Sequence, residues 1–491
     1  MRIAMLAGAF AAALTASVPA TADSLILTYH GGPDRAGMYV MPSLTYARGQ
    51  GLHPDLSFNA DYLGDVYAQP LLWRDAKTGA GELIVATEED RVYAFDEKTG
   101  AQKWTRTLGE PATREAGFRC GDIWPLGVTG TPVIDKPSAT LYLDAMVMRD
   151  GRPSHEVFAL SLVDGSIEPG WPVDVAAALG GSFEPITHNQ RGALALFAGR
   201  VYVPYGGLAG DCGVYHGTVV GLSTSEPGKA VRFSTRARSG GIWAQGGVVS
   251  DGKSLFAATG NTSFVKEWGD GEAVLRFAPD LAAPLATRDY FAPSDWKDLD
   301  DHDLDLGGTA PIPLDVPSAK GVKKLILAVG KDGDAYLLDR NNLGGIGGEV
   351  ARAHISLMRA IASPAVWSAG ASVFVALEVD GANCPPGSLG KGLLVLKIGA
   401  EPAPAIDTVW CNKVGSAGGA PIVTTTDGRS DPIVFALGSH GDNRLYAYRG
   451  DTGELLAPPQ PVFGTTKFQT LIAADGRLYV TGGGKVHAFI Y

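Results

Sequence analysis

The side chains best able to do chemistry in this chain gather between residues 298 and 305. Asp298-Leu299-Asp300-Asp301-His302-Asp303-Leu304-Asp305 places six acidic or imidazole groups in eight positions. Carboxylates this dense act as proton acceptors, as oxygen ligands for a hard cation, or as a solvated acidic loop. Asp303 and Asp305 are two apart, so on an extended segment both face one side. A second polar group is His188-Asn189-Gln190-Arg191, with Tyr215-His216, Gln69 and His440 elsewhere. The Arg191 guanidinium can hold a carboxylate through two parallel hydrogen bonds, and with His188 it makes a pair that a hydrolase or lyase would use. Lys331-Asp332-Gly333 reads as a tight turn carrying a lysine. The cysteines Cys120, Cys212, Cys384 and Cys411 have no zinc-type spacing, and no Cys-x-x-Cys-His haem attachment site is present.

The elements that must position these groups come from a repeat of roughly 50–65 residues. Its sharpest copy has strands at Pro70-Leu71-Leu72-Trp73, Leu83-Ile84-Val85-Ala86-Thr87 and Val92-Tyr93-Ala94-Phe95-Asp96, a turn at Glu97-Lys98-Thr99-Gly100, and a fourth strand at Trp104. Units open at Gln69-Pro70, Thr131-Pro132, Arg191-Gly192, Gln245-Gly246, Ala310-Pro311, Ser363-Pro364, Ala420-Pro421 and Gln469-Thr470. Third strands fall around Ala94, Ala159, Gly221, Phe277, Leu337, Val395, Ala447 and Ala488. The two series interleave, which predicts an all-β, eight-bladed propeller of four-stranded antiparallel blades; decay of the later copies leaves seven blades as the alternative. One unit cannot bury both faces of its sheet, whereas a closed ring of units can. The last copy reaches Tyr491 inside its third strand, so an N-terminal strand is expected to close the ring, with residues 25–29 as the supplier.

Composition agrees with such a body. The 65 glycines suit many tight turns, and the formal net charge of −11 argues against nucleic-acid or anionic-membrane partners. Residues 1–22 read as a cleaved secretory signal: Met1-Arg2, an apolar run to Val18, then Ala20-Thr21-Ala22. That leaves 23–491 as a single propeller domain in a periplasmic or secreted protein. No later segment is apolar enough to span a bilayer. Export favours two disulfides. Cys384 and Cys411 share one repeat, which favours that pair and leaves Cys120 with Cys212.

Ala94-x-Asp96-x-x-Thr99-Gly100-x-x-x-Trp104 resembles the tryptophan-docking repeat of the pyrroloquinoline quinone (PQQ) propellers. Weaker copies lie at Ala159 to Trp171 and at Ala447 to Gly453, and the resemblance covers nearly all of the mature chain. In that family the Trp of one blade packs on the Ala and Gly region of a neighbour. The family includes alcohol-oxidising quinoproteins that hold PQQ with Ca²⁺, and cofactor-free propellers such as the outer-membrane assembly lipoprotein of Gram-negative bacteria.

The resemblance implies roles for particular residues. Trp243 is similar to the floor on which PQQ lies, and Thr259-Gly260-Asn261 to the segment whose Asn ligates Ca²⁺. The acidic run is similar to the one supplying the base, for which Asp303 is chosen, with Asp301 and Asp305 as alternates and as metal ligands. Lys331 resembles the lysine that approaches the quinone oxygens. Arg191, one of the chain's own polar groups rather than a family position, and Gln245, beside Trp243, are the further candidate cofactor contacts. The chain departs from the family in lacking its two adjacent cysteines and in placing Cys212 where a Glu metal ligand is expected. Three readings follow: a PQQ- and Ca²⁺-dependent oxidoreductase acting on an alcohol or polyol and passing electrons to a separate acceptor; a cofactor-free binding or envelope-assembly scaffold; and a hydrolase or lyase built on His188 and Arg191.

Overall fold

The computed structural model describes residues 24–491 except 285, 371, 416, 417 and 440, so the expected leader and His440 lie outside the described residues. The chain forms eight sheets of four or five strands, and these are the blades of a propeller. Their inner strands are Leu71–Arg74, Val133–Asp135, Ala195–Phe197, Val249–Ser250, Ile312–Ser318, Ala365–Ala369, Ile422–Thr425 and Ile472–Ala474. Each begins shortly after one of the openings read from the sequence. All eight anticipated third strands are also present, from Arg91–Asp96 in blade 1 to Lys485–Ile490 in blade 8.

Blade 1 shows why these residues become these strands. Gly81–Thr87 is buried along its whole length, because blades cover both faces of the sheet; hence Leu83-Ile84-Val85-Ala86 runs apolar without alternation. Strands three and four are joined by a turn in which Asp96 Oδ1 accepts from Lys98 N (3.1 Å), Thr99 N (3.0 Å) and Thr99 Oγ1 (2.9 Å). Trp104 then crosses to blade 2, where its Nε1 donates to Leu162 O at 3.1 Å. A Cβ on Gly165 would lie 2.6 Å from that indole, so only glycine leaves the slot. Trp410 of blade 6 repeats the arrangement against Gly453 of blade 7, donating to Gly450 O at 2.9 Å. Thus Ala447 to Gly453, a copy without its own Trp, receives its neighbour's. Trp171 instead packs edge-on against Tyr142 of its own blade.

The N-terminal segment closes the ring, but not through residues 25–29. The fourth strand of blade 8 is made by His53–Pro54 and Ala60–Asp61, both antiparallel to Lys485–Ile490. Residues 25–29 were taken before that point, because the chain first crosses the axis. Ile26 bridges Leu72 of blade 1 and Leu27 O accepts from Ile134 N of blade 2. Pro33 O accepts from Ser250 N of blade 4, and Ala36 O from Val366 N of blade 6. Met38–Val40 then adds in parallel to Ile422–Thr425 of blade 7. Arg35, 0 % exposed, sits at the centre of this plug.

Both disulfides are the expected ones. Cys384–Cys411 lies within blade 6, and Cys120–Cys212 joins the connector after blade 1 to a loop of blade 3. Among the described residues no helix is long and apolar enough to cross a membrane.

Candidate functional site

Inner strands start at one end of the axis, and the connectors leading into them line a funnel there. Along blade 4 the order is Trp243 at the funnel, Gly246 and Val248 bonded to Arg35, then Ser250 at Pro33. The plug therefore forms the floor beneath the funnel. The funnel holds a cavity of about 420 Å³ whose lining includes Trp243, Asn261, Asp303, Asp305, Lys331 and Arg191. Two roomier clefts of about 690 Å³ flank the N-terminal segment instead. The one beside Pro33 also gathers an arginine, aspartates and an indole (Arg340, Asp34, Asp251, Asp315 and Trp367), but there Arg340 is paired with Asp315.

Local backbone contacts tie these residues to one another. Gly240 N donates to Asn261 O (2.8 Å) and Gly260 N to Gly241 O (3.0 Å), which couples the Trp243 and Asn261 segments. A Cβ on Gly260 would stand 2.8 Å from the Asp305 carboxyl carbon. Glycine at that position therefore lets Asn261 N reach Asp305 Oδ1 at 2.7 Å. Asp305 Oδ2 accepts from Trp243 Nε1 at 3.1 Å and pairs with Lys331 Nζ at 2.6 Å. Lys331 Nζ also donates to Asp303 Oδ1 at 2.8 Å, and Arg359 Nη1 donates to Asp303 Oδ2 at 2.9 Å. Lys331 is not an exposed turn lysine: its side chain is 10 % exposed, and its backbone N donates to Asp305 O at 2.9 Å. Burial works against the Lys331 charge, but Asp305 and Asp303 more than restore it and raise its pKa.

The acidic run is not an extended segment. Trp296–Asp301 is a short helix and Leu306–Gly308 a 3₁₀ turn. Asp303, between them, takes a left-handed φ of 55°, a conformation that Asp tolerates better than most residues. Asp303 and Asp305 reach the cavity. Asp301 does not: it is exposed and pairs with Lys297. Asp300 turns inward and accepts from Thr262 Oγ1 at 2.7 Å, steadying the chain beside Asn261.

Arg191 differs from the other cations of the funnel. It makes no hydrogen bond to any described residue, and its Nε is buried without a partner. It lies 5.5 Å from the Trp243 ring centre and 6.0 Å from that of Phe468. Burial lowers its pKa, although Asp122 and Asp211 oppose this. Gln245 is buried below, with both amide atoms unpartnered among the described residues, and does not line the cavity. His188 is buried and bonds Glu184 O at 2.7 Å, lining a separate cleft with His216. Burial holds it near pKa 4, so it stays neutral at physiological pH and is not joined to Arg191 as a pair.

Sequence reasoning passed over Asp122, Arg359, Ile361, Lys467 and Phe468, which also line the cavity. They come from connectors without a motif, and only the closing of the ring brings them near. Asp211 accepts from Tyr215 OH at 2.5 Å, and burial raises its pKa. Among the described residues no three Asp, Glu, His or Cys side chains converge as metal ligands would.

No protein-family model matches the chain, and neither does any curated protein. Solved structures do resemble it. The quinohemoprotein alcohol dehydrogenase of Comamonas testosteroni matches with a TM-score of 0.64 and 17% identity, over 95% of this chain and 80% of that one. A europium-containing methanol dehydrogenase matches with a TM-score of 0.63 and 14% identity, over 96% and 99%. BamB from Moraxella catarrhalis matches with a TM-score of 0.53 and 14% identity, over 90% and 100%. At such identities the likeness is one of fold: this chain is an eight-bladed propeller of the architecture found in quinohemoprotein alcohol dehydrogenases and methanol dehydrogenase.

Proposed function

We propose that this chain is an exported oxidoreductase that holds PQQ in its funnel and oxidises an alcohol or polyol, passing electrons to a separate acceptor. The observation carrying this reading is Arg191, a half-buried side chain whose Nε is buried without a partner and which pairs with no carboxylate among the described residues, beside the Trp243 indole. Such a cation lowers the free energy of a site when a ligand carboxylate reaches it. Trp243 offers a flat apolar surface next to it, and Lys331 lies 5.1 Å from the same ring. A planar polycarboxylate fits these groups; a Ca²⁺ ion does not, since the Lys331 ammonium already lies between Asp303 and Asp305 and would repel it. Export is supported by the two disulfides.

The chemistry such a quinone supplies when bound is two-electron oxidation of an alcohol carbon. Asp303 is the base. It is half-exposed to the funnel, and Lys331 and Arg359 each engage one of its oxygens; each oxygen keeps a second lone pair with which to take the substrate hydroxyl proton. Lys331 places positive charge beside that proton transfer, where negative charge develops. Arg191 and Trp243 orient the ligand. The plug keeps the funnel floor shut, so substrate and product use one mouth.

The expected result of titrating the purified protein with PQQ is saturable quenching of tryptophan fluorescence, weakened at least about tenfold in Trp243→Ala and in Arg191→Leu. Dye-linked alcohol oxidation should vanish in Asp303→Asn. Absence of any saturable binding, with or without Ca²⁺, sinks the reading. It would leave the second one, a cofactor-free scaffold, which the self-satisfied Asp303/Asp305 pair favours.

A further inference from the structure

We propose that Lys331 stands where a di- or trivalent cation would otherwise sit, so that the funnel takes its planar anionic ligand on protein charge alone, without a metal. The ligand class rests on the function proposed above; the assignment of Lys331 does not.

Four carboxylate oxygens face this corner of the funnel, and each already accepts a hydrogen bond. Asp305 Oδ1 takes Asn261 N (2.7 Å) and Oδ2 takes Trp243 Nε1 (3.1 Å) and Lys331 Nζ (2.6 Å). Asp303 Oδ1 takes Lys331 Nζ (2.8 Å) and Oδ2 takes Arg359 Nη1 (2.9 Å). Two carboxylates thus face two cations, and the charge of the pair is balanced before any ligand arrives. A hard cation needs six or more oxygens at about 2.3–2.6 Å. To reach Asp305 it must displace the ammonium or lie against it, and like charges in a half-buried site repel.

The other acids do not fill the gap. Asp211 is engaged by Tyr215 OH at 2.5 Å. Glu272, buried behind the wall, gives one oxygen to Leu306 N at 2.6 Å. Asp122 is paired with Lys467, and Asp301 with Lys297 outside the cavity.

Lys331 is held firmly enough for the role. Its backbone is tied to Asp305 O, and the turn that carries it needs Gly333, where a Cβ would lie 2.1 Å from Ser356 O. An ammonium has three donors. Two go to Asp303 and Asp305, and the third is available to a ligand oxygen, which is the contact a metal would otherwise make.

Terbium(III) luminescence tests this, because an ion bound beside Trp243 is sensitised by the indole. The full mature protein, stripped with EDTA, is titrated with Tb³⁺ alone. Wild type should give no emission that depends on Asp305. Lys331→Ala should gain a one-to-one site at least about tenfold tighter than wild type, and that site should disappear in Lys331→Ala/Asp305→Asn. Lys331→Gln is the second variant, should Lys331→Ala not fold. Wild-type emission as strong as the variant's, and lost in Asp305→Asn, overturns the proposal. In a second arm PQQ should quench tryptophan fluorescence equally with EDTA or with millimolar Ca²⁺; a Ca²⁺ requirement overturns the proposal while leaving the quinone reading standing. No quinone binding in either condition, with the terbium results as expected, removes the quinone reading and upholds the role of Lys331.

Discussion

Three buried glutamates do the same work in different blades. Glu88 accepts from Gly127 N (2.7 Å), Glu272 from Leu306 N (2.6 Å) and Glu378 from Gly419 N (3.2 Å) and Leu437 N (3.0 Å). In each case the acceptor belongs to one blade and the N–H to the connector into the next, or to the next blade itself. The glutamate is a latch between neighbours, satisfying backbone donors that the lead-in would otherwise bury unpaired. Burial raises all three carboxyl pKa values, that of Glu88 from 4.5 to about 8. The unfolded chain ionises Glu88 near 4.5 and the folded chain resists until about 8. The stability held by the neutral form is therefore complete below pH 4.5 and lost as pH rises through about 8. Glu88→Gln keeps the acceptor for Gly127 and removes the titration. Its urea midpoint relative to wild type should climb steadily from pH 4.5 to 8; a constant difference across that range counts against the latch being neutral.

At the level of strands and turns, the ring is keyed by indoles set against glycines. Trp410 is 6 % exposed, and a Cβ on Gly453 would come within 2.6 Å of it. Trp410→Ala should cost about 3–5 kcal/mol in urea unfolding, as expected for losing a buried aromatic. Gly453→Ala should also destabilise, because it combines a φ of +74° with that clash. Gly399, whose added Cβ would touch nothing within 4 Å, is the control: Gly399→Ala should change stability by less than about 1 kcal/mol. Equal losses in the two glycine variants would mean that the slot is not what matters.

For the molecule as a whole, the segment between residues 26 and 40 decides which end of the axis stays open. Arg35 donates to Gly246 O (3.1 Å), Leu194 O (2.8 Å) and Val248 O (2.9 Å), and also to Thr28 Oγ1 and Tyr29 O. One side chain thus gathers carbonyls from blades 3 and 4 into the plug. Arg35→Ala strands those carbonyls in a dry interior and should cost about 2–4 kcal/mol by urea unfolding; a loss below about 1 kcal/mol would show that the channel floor holds without the clasp. Such a plug also restricts a ligand in the funnel to one route of exit.

The local pattern already contained the blades. Apolar runs such as Leu83 to Ala86, the Asp96-to-Gly100 turn and the eight openings recur at short range, and short-range patterning sets strands and hairpins. The Cys384–Cys411 pairing was legible for the same reason, since one repeat holds both cysteines, and Cys120–Cys212 followed as the remainder. The acidic run showed which residues are able to do chemistry but not their roles. Composition alone cannot tell that Asp300 turns inward to Thr262, that Asp301 stays outside, or that Asp303 and Asp305 are neutralised by Lys331 and Arg359. Those partners come from connectors far apart in the chain, and which of them meet depends on ring closure. Closure itself passed to His53–Pro54 and Ala60–Asp61 rather than to residues 25–29, because the plug consumes the earlier residues first. Local periodicity determined the propeller; long-range pairing around the axis decided where its charges meet.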